Sequence, residues 1–313
     1  MSDTESMRKD EFDGIITKGV GGLYTIRLNS GEYVNANLRG VLRTKKLTPA
    51  IGDNVCIGES GDKDVPYVIN KIGDRKSFLI RPPVANIDYL ILTFAVKDPQ
   101  PDLLLLDKML IICKLMSIEP IIVFTKCDLD EKYAEELYNA YSKAGYITHK
   151  SYEDNMLDAS CVKQYFIQNR LIGLAGPSGV GKSTLVNHFL QKSTMETGQI
   201  SDRLKRGKHT TRHVELLEFE DGFLLDTPGF TSLSLYELGV DYKNVILGFP
   251  ELEAHAKNCK FDDCRHQGEL GCSIADAISE AIIDEGRVAR YRELELDLYN
   301  NRNNYSGRRK LNL

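Results

Sequence analysis

The chain has 313 residues, a length that suggests two or three domains, and its composition of 42% hydrophobic and 27% charged residues is typical of a globular protein. Its 40 Lys and Arg against 45 Asp and Glu give a net charge of −5, so overall charge does not favour nucleic-acid binding, although a local basic patch still could. No apolar run reaches the roughly 20 residues of a membrane span. Residues 1–10 are polar and charged, unlike a secretion signal. We therefore expect a cytoplasmic protein without membrane contact.

The N-terminal region, residues 1–73, is predicted to form a small β-barrel. Short alternating segments with glycine turns between them indicate strands, and no helical period interrupts them. The predicted strands are residues 14–18, 23–28, 32–38, 41–47, 53–57 and 67–72. This pattern suits an oligonucleotide-binding (OB) fold, and a generic small barrel fits it equally well.

The central region, residues 74–237, alternates buried strands with helices, which is typical of a parallel sheet covered on both faces. The predicted strands are residues 89–96, 121–124, 146–149, 171–175, 213–218 and 223–226, and the predicted helices are residues 102–116, 131–144 and 185–190. A third region, residues 238–313, is expected to be mainly helical, with helices at 274–283 and 288–299. The sequence therefore predicts a multidomain protein with a barrel, an α/β domain and a helical domain.

The most specific motif is a phosphate-binding loop that follows the strand at 171–175. Gly176-Pro177-Ser178-Gly179-Val180-Gly181-Lys182-Ser183-Thr184 matches the pattern G-x-x-x-x-G-K-[ST] without deviation. Glycines let successive N–H groups point at an anion. Lys182 is expected to neutralise the β- and γ-phosphates, and Ser183 to bind magnesium.

A second motif, Asp226-Thr227-Pro228-Gly229, follows the strand at 223–226. Asp226 is expected to hold magnesium, and the N–H of Gly229 to contact the γ-phosphate. A basic run at 203–212 lies between the loop and this motif, where a mobile switch should close over the nucleotide. Thr211, or Thr210, is therefore a candidate magnesium ligand. Alternatively, the basic run is a solvated surface, or it contacts the phosphates of a nucleic acid.

A third motif, Thr125-Lys126-Cys127-Asp128, predicts selection of guanine over adenine. The carboxylate of Asp128 can accept two hydrogen bonds from guanine, whereas adenine offers no such pair of donors. The stem of Lys126 is expected to pack on the base. This motif precedes the phosphate loop, whereas the loop comes first in ordinary GTPases, so the motif order is circularly permuted.

The C-terminal region contains a Cys/His cluster with the spacing of a zinc site. Cys259, Cys264, His266 and Cys272 supply three thiolates and one imidazole, a set that fills a closed tetrahedral site, so we expect a structural zinc ion. His255 is a possible competing ligand, or simply a solvated helical residue. The other cysteines, at 56, 113, 127 and 161, are interpreted as apolar filling.

Together these motifs resemble the RsgA family, the circularly permuted GTPases that depend on the small ribosomal subunit. The resemblance covers nearly the whole chain and includes residues 81–88, the three nucleotide motifs, residues 207–211 and the cysteine cluster. It implies GTP hydrolysis stimulated by the small ribosomal subunit during its late maturation, with magnesium bound together with GTP. It also implies that the barrel contacts ribosomal RNA and that the zinc domain assists docking.

The same resemblance implies roles for single residues. Phe230 stands where many GTPases have a Gln that orients water, and Phe has no polar group for this, so intrinsic turnover should be slow. His209 matches the family's switch histidine, which either orients water once the ribosome orders the switch or only contacts phosphate or RNA. Lys182, His209 and Thr211 are thus the candidate catalytic residues.

Two departures from the family pattern concern the base site. Thr125 replaces the commoner Asn, and Ser151 is a poor substitute for the usual Ser-Ala motif, so guanine affinity rather than preference should be affected. The chain is interpreted as a monomeric GTPase. The alternatives are a P-loop ATPase or kinase, and an RNA-binding adaptor that holds nucleotide without significant turnover.

Overall fold

A computed structural model describes residues 12–40, 48–153, 164–166, 170–197, 215–226 and 234–302. The chain divides into two compact units. The first comprises Met1–Asp88, Tyr165–Gly173 and Ser201–Thr227, and the second comprises Tyr89–Gln164, Leu174–Ile200 and Pro228–Leu313. The three predicted domains, residues 1–73, 74–237 and 238–313, remain a prediction, because these two units do not correspond to them one to one.

The first unit contains the predicted barrel. Its strands are β1 (Gly14–Val20), β2 (Leu23–Leu28), β3 (Tyr33–Leu38), β4 (Asn54–Glu59) and β5 (Tyr67–Ile72). They close in the order β1-β2-β3-β5-β4, and β3 runs parallel to β5 while the other pairs are antiparallel. Five fully buried side chains fill the interior: Ile16, Ile26, Ala36, Val55 and Ile69. This OB-like barrel confirms the predicted fold, and the predicted strand at 41–47 lies outside the described residues.

Two hairpins also belong to the first unit. Strands β6 (Phe78–Leu79) and β7 (Val84–Ala85) pair antiparallel, as do β12 (Leu217–Phe219) and β13 (Gly222–Asp226). Just before β12, the N–H of Leu216 donates to the carbonyl of Thr17 over 3.0 Å, so the second hairpin is joined to the barrel. The described part of the predicted strand 213–218 begins at 215, and regular pairing begins at Leu217.

The α/β part is built on strands β8 (Ile87–Ala95), β9 (Glu119–Thr125), β10 (Ile147–Lys150) and β11 (Leu171–Ala175). Strands β8 and β9 are parallel, with Ala95 opposite Thr125, and β10 is parallel to β9. The six-stranded sheet has the order β10-β9-β8-β11-β13-β12. Because β8 and β9 run the same way, the loops that follow them leave from one edge of the sheet.

Six α-helices occur among the described residues: α1 (Leu103–Leu115), α2 (Glu131–Lys143), α3 (Lys182–Thr197), α4 (Pro250–Ala256), α5 (Ser273–Ser279) and α6 (Glu285–Asn301). Asp102 and Asp130 cap α1 and α2 by accepting backbone N–H bonds. The helix predicted to reach residue 283 ends at Ser279, because Ala281 has the left-handed φ of 55°. Within these described ranges, no helix combines the length and the apolar character that crossing a membrane requires.

Helix α6 is joined to the rest of the second unit through buried charged groups. The guanidinium of Arg287, fully buried, donates to Asp107 Oδ1 over 2.6 Å and to Glu251 Oε1 over 2.8 Å. Asp107, in α1, also accepts from the hydroxyl of Tyr141 over 2.8 Å and from Arg290 Nε over 2.5 Å. Each charge in this cluster therefore faces an opposite charge, the condition under which charges are buried.

Candidate nucleotide-binding and metal sites

The phosphate loop lies between the fully buried strand β11 and helix α3. Gly176 has φ 151°, and a Cβ at this position would lie 2.1 Å from the carbonyl oxygen of Thr93, so only glycine fits. The ammonium of Lys182 donates to the carbonyl oxygens of Gly176 and Pro177 over 2.8 and 2.7 Å, which places it within the loop. The first helical bond runs from Leu185 N–H to the carbonyl of Gly181. The loop thus combines a lysine with a helix N-terminus, two groups that favour phosphate.

Ser183 and Thr184 follow Lys182 in the first turn of α3, and both are exposed. A hydroxyl in this position can reach a cation bound beside the phosphates, because oxygen ligands suit magnesium. The magnesium role predicted for Ser183 remains a prediction.

The base-reading motif begins where β9 ends. Lys126 adopts the left-handed φ of 54°, a 3₁₀ turn covers Cys127–Leu129, and the carboxylate of Asp128 is exposed. Its Oδ1 accepts the N–H of Glu153 over 3.0 Å. The N–H of Cys127 donates to the carbonyl of Ser151 over 3.2 Å. The segment that Ser151 begins therefore borders the base motif through its main chain, a contact that its residue types did not indicate.

Thr125 joins the base motif directly to the phosphate loop. Its buried hydroxyl lies 2.6 Å from the carbonyl oxygen of Val180, to which it donates, although 55 positions separate the two residues. The two motifs predicted to share one ligand are thus in contact. Thr125 makes this contact with the side chain that departs from the family pattern.

Cys127 is an internal part of the motif. Burial raises the pKa of its thiol, so the thiol stays protonated and can donate to the carbonyl of Phe124, 3.2 Å away. The sequence interpretation placed Cys127 at the nucleotide and also treated it as apolar filling. The second description fits its complete burial.

The four predicted metal ligands come together at the start of the C-terminal helical region. The ligand atoms of Cys259, Cys264, His266 and Cys272 lie within 4.8 Å of one another. Each of the three Sγ atoms is 3.5 Å from Nδ1 of His266. A tetrahedral ion with bonds of about 2.3 Å to sulfur and about 2.0 Å to nitrogen requires roughly 3.6 Å between these atoms. The donor set and its spacing therefore fit zinc.

The imidazole of the cluster is held in the form that can bind a metal ion. Burial lowers the pKa of His266, which keeps its imidazole neutral, as a metal ligand must be. His255, the possible competitor, is not in the group of ligand atoms. Its carbonyl accepts a bond from Ser273 Oγ, and that hydroxyl lies 3.3 Å from Cys259 Sγ.

The loop that carries these ligands, residues 259–272, is clamped to helix α6. Arg265 donates to both carboxylate oxygens of Glu295 over 2.6 Å, and Glu295 is almost fully buried. Gln267 donates to the same carboxylate over 2.7 Å, and Arg292 donates to the carbonyl of His266 over 2.6 Å. The sequence interpretation missed Arg265 and Glu295, because each reads as an ordinary surface charge and they are 30 positions apart.

Several predicted site residues cannot be placed. Thr210, Thr211, His209, Gly229 and Phe230 lie outside the described residues. Asp226 is the last residue of β13, and the structure describes only its main chain. Their roles remain predictions.

Comparison with known proteins agrees with this geometry. A family model described as RsgA GTPase matches residues 72–236, and one described as RsgA N-terminal domain matches residues 13–65. The chain belongs to the RsgA GTPase family. The predicted enzyme class, a GTP hydrolase, and the resemblance stated from the motifs are thereby confirmed.

Individual relatives cover nearly the full length of the chain. A Small ribosomal subunit biogenesis GTPase RsgA from Clostridium novyi is 42% identical over 284 residues, covering 89% of this chain and 94% of that protein. The protein of the same name from Ruminiclostridium cellulolyticum is 39% identical over 284 residues, which cover 90% of this chain and 92% of that protein. Among solved structures, YjeQ from Thermotoga maritima has a TM-score of 0.76 at 29% identity, covering 95% of this chain and 99% of that one. YloQ, described as a circularly permuted GTPase, has a TM-score of 0.74 at 27% identity, and the match covers 96% of this chain and 98% of that one.

Proposed function

We propose that this member of the RsgA family hydrolyses GTP during biogenesis of the small ribosomal subunit, the process that its relatives' names give. The observation that carries the proposal is the hydrogen bond from Thr125 to the carbonyl of Val180, which brings a guanine-type motif against a phosphate loop. Guanine supplies two donors to the carboxylate of Asp128, whereas adenine has no such pair, so an ATP-dependent enzyme would have no use for Asp128 beside the phosphate loop.

The chain's own residues divide the work as follows. The main-chain N–H groups of the phosphate loop and Lys182 bind and orient the β- and γ-phosphates for in-line attack by water. Ser183 and Asp226 would hold magnesium, which neutralises charge on the transferred phosphoryl group when it is bound with GTP. His209 would orient the attacking water, and Thr211 would supply a further oxygen ligand to magnesium. These assignments rest on motif position.

Replacing Lys182 tests the catalytic assignment. Lys182→Ala should reduce GTP turnover to background, because the lysine's charge is needed at the developing negative charge, while the thermal unfolding midpoint stays unchanged. Lys132→Ala on the exposed face of α2 is the matched control and should turn over normally. Turnover is measured with and without purified small ribosomal subunits across a range of salt. Undiminished hydrolysis in Lys182→Ala would remove the assignment, and hydrolysis indifferent to small subunits would remove the proposed process.

Replacing Asp128 tests the base. Asp128→Asn should lose guanine binding and gain xanthine binding, since the amide can donate to the exocyclic oxygen that xanthine has in place of the amine. Binding of GDP, xanthosine diphosphate and ADP by calorimetry distinguishes the outcomes. ADP binding that equals GDP binding in the wild type would support the ATPase or kinase alternative.

We further propose that the Cys/His cluster holds one structural zinc ion. Metal analysis should find about one zinc per chain, and Cys264 should resist alkylation until a chelator is added. Cys113, buried in α1, is the control and should stay protected in both states. A chain that contains no zinc and whose Cys264 is alkylated at once would contradict this proposal. Contact of the barrel with ribosomal RNA, a monomeric state and a cytoplasmic location remain predictions of the same family role.

A further inference from the structure

The loop between β8 and α1, residues 96–101, borders both nucleotide motifs. Its first residue, Val96, donates its N–H to the carbonyl of Thr125 over 2.9 Å. The ammonium of Lys126 donates to the carbonyl oxygen of Asp98. On the other side, Pro99 Cδ lies 3.9 Å from the position that a Cβ would take on Gly179. None of these loop residues belongs to a recognised nucleotide motif, yet the loop contacts the base motif and packs beside the phosphate loop.

The contact to Lys126 depends on an unusual backbone conformation. Asp98 has φ 50°, in the left-handed region, where Asp, Asn and Gly are tolerated and β-branched residues are strongly disfavoured. This conformation sets the direction of the Asp98 carbonyl, and so decides where the end of the Lys126 side chain is held. Asp98 itself is exposed, so its side chain fills no core position that would explain the residue type.

Lys126 would otherwise have several free rotamers. Its main chain is fixed by its own φ of 54° and by the turn that follows, but a lysine stem in water loses substantial rotamer entropy when it is ordered. Fixing the ammonium at one carbonyl orders the stem before a ligand arrives. A preordered stem binds a planar base with less entropic cost.

We propose that Asp98 is a positioning residue for guanine-nucleotide binding, acting through its carbonyl on Lys126. This inference rests on the proposed function, since the base that Lys126 contacts is that of GTP. It assigns a role in nucleotide affinity to a loop outside the three motifs, and it explains why the loop carries a residue that accepts a left-handed conformation.

The experiment compares substitutions at two left-handed positions. Asp98→Val should weaken GDP and GTP binding about five- to tenfold, because valine resists this φ and redirects the carbonyl. Asp98→Asn and Asp98→Gly should stay within about twofold, because both residues accept the conformation. Ser117→Val is the matched control. Ser117 is exposed with φ 55° and follows α1 at its far end, so the substitution should lower the unfolding midpoint similarly without changing affinity.

A double-mutant cycle separates positioning from general strain. Lys126→Met keeps an apolar stem and removes the ammonium, so Asp98→Val should have no further effect on affinity in that background. A full additional loss there, or equal losses of affinity in Asp98→Val and Ser117→Val, would overturn the inference. A wild-type protein that binds no guanine nucleotide would instead remove the proposed function.

Discussion

The nucleotide loops and the metal loop of the second unit are held in place by different kinds of contact. Around the phosphate loop, the acceptors are main-chain carbonyls, such as those of Val180, Gly176 and Asp98. Around the metal loop and α6, the contacts are charged side chains, with Glu295 and Asp107 as the buried acceptors. The first kind of contact tolerates any acceptor residue that can adopt the local backbone conformation, whereas the second fails when either partner changes.

This difference predicts where substitutions are costly. A carbonyl remains whatever its side chain becomes. Apart from Asp128, which reads the base, the sensitive positions of the nucleotide loops are therefore the donor residues and those with a left-handed backbone, namely the glycines and Asp98. A buried ion pair leaves an uncompensated charge when one member is removed. The C-terminal helical region should therefore be the part of the second unit whose stability is most sensitive to single charge changes.

The largest effect is expected at Asp107. Asp107→Asn should lower the free energy of unfolding by about 3–5 kcal/mol, because it removes the charge that faces Arg287 and Arg290 in a buried place. Denaturant unfolding measures it. The control is Glu136→Gln, which breaks an exposed pair with Lys132 at 3.8 Å and should change stability very little. Equal effects from the two substitutions would show that the buried cluster does not anchor α6.

The same difference decides what could be predicted from the sequence. The barrel and the α/β alternation could be predicted because each follows from a local pattern of alternating residues and glycine turns. The phosphate-loop, base and metal motifs are also visible as local spacings, although the roles of their residues remain predictions. The sequence predicts only that Thr125 and the phosphate loop lie close together, because both motifs should contact one nucleotide. Their hydrogen bond could not be predicted, since the two residues are 55 positions apart.

The contacts of α6 could not be predicted. Asp107 lies in an apolar helix, and its partner Arg287 lies 180 positions later, so no periodicity connects them. Arg265 and Glu295 are residue types that usually lie on a solvated surface. The end of α5 was also missed, because Ala281 carries no turn signal although it adopts a left-handed conformation. Side-chain contacts between distant segments are thus the part of the structure that the sequence leaves open.

A smaller effect is expected at the metal loop. Glu295→Gln should weaken zinc binding about tenfold or more, because the carboxylate holds Arg265 and Gln267, which flank the ligand His266. Competition with a zinc indicator measures the affinity directly. Glu293→Gln, an equal charge change on the exposed face of α6, should leave zinc affinity as in the wild type. If both variants bind zinc equally well, α6 does not position the loop.

The smallest effect is expected at Thr125, where the acceptor is a carbonyl and only the donor can be removed. Thr125→Val should weaken GDP and GTP binding about five- to tenfold, since it leaves the buried carbonyl of Val180 without this hydrogen bond. Thr125→Asn restores the commoner residue of the family, whose amide can also donate, so the affinity should be at least that of the wild type. Thr148→Val, which removes a hydroxyl bonded to the carbonyl of Tyr146, is the control and should bind normally. Calorimetry that finds Thr125→Val equal to Thr148→Val would mean that the two nucleotide motifs need no side-chain bond between them, and that the shared sheet edge alone keeps them together.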